Sequence, residues 1–278
     1  MCLGFDPRPA VAAAVLFAVS VTAADLRVCA DPNNLPFSNR QQEGFDNKIA
    51  AMIGRDLNRT VKYVWAPERG ESFVEKTLLA GQCDLLMGMP ALDREASTTQ
   101  PYYTSTYVFL WRRDRHLNIH SLNDPVLRRL RIGVHVVSDD ASNLPPAQAL
   151  ANRGMIKNMA AYSIYGDLSK PNPPAALIEA VTRGQVDIAI AWGPLAGYFA
   201  KRSAMPLEVV PVSPQVDRPY LPFTFSISMG VRPGDKDLLA ALNRALDRQR
   251  PEIDRTLQEY GVPMLSLSKT PLADGKRK

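Results

Sequence analysis

Three histidines and three cysteines carry most of the reactive chemistry open to this 278-residue chain. His116 and His120 are four apart, but Asn118 and Ser121 read as loop, and neither they nor His135 has a cysteine or glutamate partner at metal-ligand spacing. The sequence contains no Gly-x-Ser-x-Gly elbow, phosphate-cradling glycine loop or dinucleotide fingerprint. No catalytic, cofactor or metal constellation emerges, so the chain reads as a binding protein and not as an enzyme. The polar residues best placed to bind are Asp31, Asn33 and Asn34, in a loop with Phe37. They are also ordinary turn residues, and both roles stay open.

The elements that must position this loop form two matched sets. Leu79-Ala80-Gly81-Gln82-Cys83-Asp84-Leu85-Leu86-Met87-Gly88 is echoed about a hundred residues later by Thr182-Arg183-Gly184-Gln185-Val186-Asp187-Ile188-Ala189-Ile190-Ala191-Trp192-Gly193. Each reads as a helix closed by a glycine, then an apolar run too continuous for a one-sided strand. Runs of that kind belong to strands of a parallel sheet covered on both faces. Leu26-Arg27-Val28-Cys29-Ala30-Asp31 and Leu130-Arg131-Ile132-Gly133-Val134-His135-Val136 open the two sets. Two α/β lobes follow, with ligands expected where strand carboxyl ends meet a crevice.

Between these anchors the pattern predicts helices after Gly44-Phe45-Asp46, over 72–80, after Asn143 and over 175–183, and a strand over 61–65. Residues 101–111 and 223–231 read as strands passing between the lobes, which makes a hinge and a central cleft. Residues 209–222 are proline-rich and read as irregular. Two helices, 236–249 and 252–260, complete the expectation.

Ala10 to Val21 is an apolar run too short to span a bilayer, and Val21-Thr22-Ala23-Ala24 follows as a small-residue cleavage pattern. Residues 1–24 therefore read as a secretory signal and the product as periplasmic. Cleavage removes Cys2. If the strand order is 2-1-3, Cys29 and Cys83 sit on neighbouring strands within disulfide reach, and an oxidising compartment favours the bond. Two buried thiols are the alternative. The net charge is +5. Arg112, Arg113, Arg115, Arg128, Arg129 and Arg131 crowd one segment that could steer an acidic protein or simply be solvated. Without aromatic interleaving they do not suggest nucleic acid.

Gly44-Phe45-Asp46, Arg94 and Pro101-Tyr102-Tyr103, in this order of elements, resemble the amino-acid-type solute-binding proteins of ABC transporters. The resemblance implies a type II, two-lobed periplasmic binding-protein fold. A narrower likeness runs over roughly residues 25–263. It rests on Val28-Cys29-Ala30-Asp31-Pro32-Asn33-Asn34-Leu35-Pro36-Phe37-Ser38-Asn39, Ala191-Trp192-Gly193-Pro194-Leu195-Ala196-Gly197-Tyr198 and Leu221-Pro222-Phe223. These resemble the MxaJ/XoxJ-type proteins encoded beside pyrroloquinoline-quinone methanol dehydrogenases. What this implies is a monomeric accessory to a PQQ-dependent methanol or alcohol dehydrogenase, calcium- or lanthanide-dependent, and to its cytochrome c. A transporter receptor for a small non-amino-acid solute is the alternative.

The same resemblance assigns the cleft. Arg94 falls near the arginine that clamps a substrate carboxylate, although the stretch to Pro101-Tyr102 looks shortened. Trp192 stands where such relatives place an acidic residue for the substrate ammonium, and an indole cannot replace a carboxylate there; capping the core is its alternative role. Their anion-binding turn is replaced by Ser138-Asp139-Asp140, whose carboxylates would repel an anion or, in the alternative, cap the helix. Phe37, Tyr102 and Tyr198 are candidates for the walls or, equally, for the core. The expected plan is residues 25–112 and 221–265 in lobe 1, 113–220 in lobe 2, and 266–278 as a tail.

Overall fold

The computed structural model describes residues 24–67, 73–137, 144–164, 169–217 and 219–265. Residues 1–23 of the expected signal, Ser138-Asp139-Asp140, and residues 266–278 of the expected tail lie outside the described residues.

The chain begins with β1 (Leu26–Ala30), a small hairpin of β2 (Asn33–Asn34) and β3 (Ser38–Asn39), helix α1 (Phe45–Asp56) and β4 (Val61–Trp65). Next come β5 (Leu85–Pro90), β6 (Ser97–Thr98) and the long β7 (Tyr103–Arg112). Lobe 2 contributes β8 (Ile132–Val136), α2 (Pro145–Asn152), β9 (Met159–Ser163), α3 (Ala176–Thr182), β10 (Ile188–Trp192), α4 (Gly193–Arg202) and β11 (Leu207–Pro211). A hairpin of β12 (Val216–Asp217) and β13 (Leu221–Pro222) leads into β14 (Thr224–Val231) and α5 (Lys236–Glu259).

The main sheet runs β4-β1-β5-β14-β7-β10-β8-β9. β1 is parallel to both β4 and β5, and β8 is parallel to both β9 and β10, so each lobe has the 2-1-3 order. Alternation explains α1: Phe45, Ile49 and Ile53 recur at helical spacing and are fully buried, each worth roughly 1.5–3 kcal/mol. They meet Leu242, Leu246, Ile253 and Leu257 of α5 over the lobe 1 sheet.

The repeated Gly-Gln-x-Asp string has a single structural job in both lobes. Gly81 and Gly184 take left-handed φ values of 74° and 69°, turning the chain back toward its sheet. Asp84 then accepts from the Arg27 amide at 3.2 Å, and Asp187 from the Arg131 amide at 2.8 Å. Each aspartate thus ties the start of its own strand to the strand that opens the lobe. Beside the first of these ties lies the Cys29–Cys83 disulfide, with Cα atoms 5.6 Å apart. The adjacency expected from the strand order is met, because Cys29 pairs with Leu86 just beyond Cys83.

Several sequence expectations are corrected. The two C-terminal helices are one, α5, with Pro251 inside it. A buried stripe of Ala245, Leu246, Ile253 and Leu257 continues across the proline, and this packing offsets a helix-breaking cost of about 3 kcal/mol. The helix expected over 72–80 includes a π-helical turn, Glu75–Leu79, in which the Ala80 amide reaches back to the Glu75 carbonyl. Residues 209–222 are not irregular throughout, since β11 pairs with β7 from Leu207↔Arg112 to Pro211↔Val108. The lobe crossing falls within β7 and not at Arg112. Residues Tyr103–Thr106 pair with β14 in lobe 1, while Tyr107–Arg112 pair with β10 and β11 in lobe 2. The return crossing lies at Phe223–Thr224, between β13 and β14.

Candidate functional site

A cavity of about 630 Å³ lies between the lobes. The lobe 1 wall follows from topology: Ala30 and Asp31 end β1, the β2–β3 hairpin brings Asn33, Asn34 and Phe37, and the start of α1 brings Asp46 and Asn47. Tyr63 of β4 and Met87 of β5 complete that wall. Across from it stand His135 at the end of β8, Pro173 and Pro174, and Trp192 at the end of β10. The floor is the pair of crossing strands, which contribute Tyr103, Tyr107, Phe225 and Ile227.

Three floor and wall rings pack as one unit. Trp192 meets Tyr107 edge-on at 5.4 Å and Phe225 at 5.9 Å, and Tyr107 meets Phe225 at 6.3 Å. The three come from β10, β7 and β14, so the cluster sits at the hinge itself. Burial pushes the Tyr107 phenol well above its ordinary pKa. It does the opposite to His135, holding the imidazole down to about 4 even though a hydrogen bond to the Pro174 carbonyl works to raise it. The ring is therefore neutral at pH 7, and its Nε2 must carry the hydrogen that reaches that carbonyl at 3.0 Å.

Among the described residues that line the cavity, both carboxylates lie on one side. Asp31 and Asp46 are on the lobe 1 wall, and among the described residues no lysine or arginine lines it. Asp31 Oδ1 accepts from the Asn33 amide at 2.7 Å, and Asp46 Oδ1 accepts from the Tyr102 hydroxyl at 2.7 Å. Asn47 Oδ1 accepts from the Asn39 and Gly44 amides and so pins the start of α1. That leaves its Nδ2, buried and without a partner among the described residues.

Asn33 spans the mouth. Its Nδ2 donates to the Lys170 carbonyl at 2.8 Å, and its Oδ1 accepts from the Asn172 amide at 2.8 Å. The lobes are thus drawn together over the cavity.

Of the residues singled out from the sequence, Asp31, Asn33, Asn34, Phe37 and Trp192 line this cavity. Arg94, Tyr102 and Tyr198 do not. Arg94 is exposed, because Asp93 Oδ1 takes the amides of Glu95 and Ala96 and folds the β5–β6 loop with Ala96 inward and Arg94 outward. Tyr102 is fully buried behind the wall, donating to Asp46 and accepting from the Gly88 amide at 3.1 Å. Tyr198 does not line the cavity and is stacked instead on Tyr260 at 5.6 Å, with the Arg202 guanidinium 3.7 Å above its ring. Ser138, Asp139 and Asp140 fall outside the described residues. His120 is exposed and bonded to Asn118 at 2.8 Å. Sequence reasoning missed Asp46, Asn47, Tyr63, Tyr103, Tyr107, His135 and Phe225 as wall residues. Two of them were within reach, since Tyr107 shares a strand face with Tyr103 by the two-residue period.

Residues 26–262 match the bacterial extracellular solute-binding proteins, family 3. The chain belongs to that family. Among its relatives is the protein MoxJ of Methylorubrum extorquens, 31% identical over 257 residues that cover 88% of this chain and 83% of the relative. Two solved structures are similar. One is MxaJ from Methlophaga aminisulfidivorans MPT, at 28% identity and TM-score 0.75, covering 86% of this chain and all of that one. The other is the periplasmic binding protein XoxJ from Methylobacterium extorquens AM1, at 33% and 0.69, covering 87% and 99%. This is an MxaJ/XoxJ-type member of the family 3 solute-binding fold.

Proposed function

We propose that this protein is a periplasmic accessory of a PQQ-dependent methanol or alcohol dehydrogenase, acting in maturation, activation or electron transfer on a solute-binding scaffold. The observation that carries the reading is the cavity wall itself: Arg94 faces solvent, no other lysine or arginine among the described residues replaces it, and Trp192 closes β10. An α-amino acid would leave its carboxylate unpaired among Asp31 and Asp46, at a cost of several kcal/mol in a desolvated site. The names of the relatives point to methanol-oxidising systems.

A partner would meet the outer face. Trp192 packs into the hinge cluster behind the Asn33 bridge, so in this closed form the cleft does not present it to a protein segment. Three arginines of the basic segment are already occupied, Arg112 with Asp114, Arg113 with Glu208 and Arg115 with Asp187. Arg128, Arg129 and Arg131 are exposed and form no ion pair among the described residues.

Deleting the gene and assaying periplasmic dehydrogenase tests this reading. Dehydrogenase activity or its cofactor content should fall and return with the plasmid-borne gene, and the tagged protein should co-purify with the enzyme. Normal dehydrogenase in the deletion strain, together with lost uptake of a small solute, would instead support a transport receptor. The closed cavity favours that second reading.

A further inference from the structure

A donor and an acceptor on the cavity wall have no partner among the described residues. Tyr107 of β7 lines the cavity and is 8% exposed, yet its hydroxyl, kept protonated by burial, makes no hydrogen bond there. His135 of β8 lines the same cavity and is 4% exposed. Its Nε2 hydrogen goes to the Pro174 carbonyl, which leaves the Nδ1 lone pair unanswered among the described residues. A buried donor or acceptor without a partner costs free energy, and folded proteins hold few of them. A standing donor and a standing acceptor on the wall of one cavity therefore describe a ligand. The wall carboxylates make no such demand, because Asp31 accepts from the Asn33 amide and Asp46 from the Tyr102 hydroxyl.

In the sheet β10 lies between β7 and β8, so at the usual strand spacing Tyr107 and His135 start roughly 10 Å apart. One ligand oxygen does not serve both. The lining also includes Trp192, Phe225, Ile227 and Pro173, apolar surfaces on which a ring can pack. We propose that the cavity binds a small neutral aromatic compound, with an acceptor oxygen at one end for the Tyr107 hydroxyl and a donor hydrogen at the other for His135 Nδ1. Both protein partners are uncharged at pH 7, and an anion would lie near Asp31 and Asp46 with no lysine or arginine among the described lining residues. A cavity of about 630 Å³ holds a ring of this size. Asn33 keeps it in by clasping the backbone of Lys170 and Asn172 in the other lobe. This inference rests on the cavity being a ligand site and not on which enzyme the protein serves.

A set of para-substituted probes separates the two ends. 4-Hydroxyacetophenone carries both the acceptor and the donor, 4-methoxyacetophenone lacks the donor, and 4-ethylphenol lacks the carbonyl acceptor. Isothermal titration with the mature protein should show each of the last two binding roughly three- to tenfold more weakly than the first. Tyr107→Phe should erase the difference between 4-hydroxyacetophenone and 4-ethylphenol, and His135→Phe the difference between 4-hydroxyacetophenone and its methyl ether. Circular dichroism verifies that the variants are folded. Without ligand, Tyr107→Phe should unfold at a urea midpoint no lower than wild type, since its hydroxyl has no protein partner to lose. Equal binding of the three probes, differences that persist in folded variants, a lowered midpoint in Tyr107→Phe, or no binding of 4-hydroxyacetophenone at millimolar concentration would each overturn the proposal. The dehydrogenase phenotype of the deletion strain reads out separately, so a failed titration leaves the accessory reading standing.

Discussion

Asn33 of lobe 1 holds the backbone of Asn172 in lobe 2, its Oδ1 taking the Asn172 amide at 2.8 Å while its Nδ2 reaches the neighbouring Lys170 carbonyl. Asn172 adopts a left-handed φ of 50°, which turns this amide toward the cleft. With one side chain spanning the mouth, closure does not require a ligand to bridge the lobes.

Replacing Asn33 by alanine should therefore shift the protein toward an open form. Each neutral hydrogen bond contributes about 0.5–1.5 kcal/mol net, so losing two should change the closed-to-open ratio by about tenfold or more. Small-angle scattering should show a larger radius of gyration for Asn33→Ala than for wild type. An unchanged radius would mean that the hinge cluster alone sets the closure.

The disulfide is the next test. Cys29 and Cys83 are 54 residues apart, and both are buried. Unreduced mature protein should show no alkylatable thiol by mass spectrometry. Changing both to alanine should lower unfolding stability by about 2–4 kcal/mol, measured as a fall in the urea midpoint.

How much of this was legible in the sequence can be judged residue by residue. The repeated Gly-Gln-x-Asp strings were visible as a repeat, and the fold gives them a cause in the ties from Asp84 to Arg27 and from Asp187 to Arg131. Trp192, Asp31 and Phe37 could be placed at strand ends and loops, which is why they reached the cavity. Arg94 and Tyr198 failed because a neighbour decides what each packs on: Asp93 turns the loop, and Tyr260 stacks on Tyr198. Asp46 and Asn47 were hidden as helix-start residues, a role they also fill. Single-residue patterns report a face of an element, and the partner across a lobe is invisible to them.

Gly197 illustrates the same point in the Gly193-Pro194-Leu195-Ala196-Gly197-Tyr198 string. A Cβ there would lie 1.9 Å from the Gly261 carbonyl oxygen, so α4 can rest on the turn after α5 only without a side chain. Gly193 is equally confined, 2.4 Å from the Thr106 carbonyl. Gly197→Ala should cost about 1–3 kcal/mol by overpacking, seen as a lower urea midpoint. Wild-type stability in that variant would show that the contact yields.

His135 predicts a pH dependence. Its folded pKa of about 4 lies below the unfolded value of 6.5. As pH falls, the unfolded chain takes up the proton first, so stability is complete above about 6.5 and is lost progressively toward 4. The loss should be on the order of 3 kcal/mol. His135→Gln should flatten the urea midpoint between pH 7 and pH 4.5 relative to wild type, and an equal slope in both proteins would assign the dependence to other groups.

A dehydrogenase or cytochrome would approach the basic segment. Arg128, Arg129 and Arg131 border the turn at Ile156–Asn158, whose Asn158 Nδ2 donates to the Arg128 carbonyl at 2.8 Å and the Leu130 carbonyl at 3.1 Å. That clasp holds exposed Lys157 and Ile156, the latter 61% exposed, beside the arginines. Exposed basic and apolar residues thus share this face, which suits an acidic protein surface. Rim charges act on encounter more than on residence. Replacing Arg128 and Arg129 by alanine should slow association with the partner roughly three- to tenfold at low salt and flatten its salt dependence. Dissociation should change little, whereas Ile156→Asp should speed it. Surface plasmon resonance at two ionic strengths separates these effects, and an unaltered association rate in the arginine variant would move the docking site to another face.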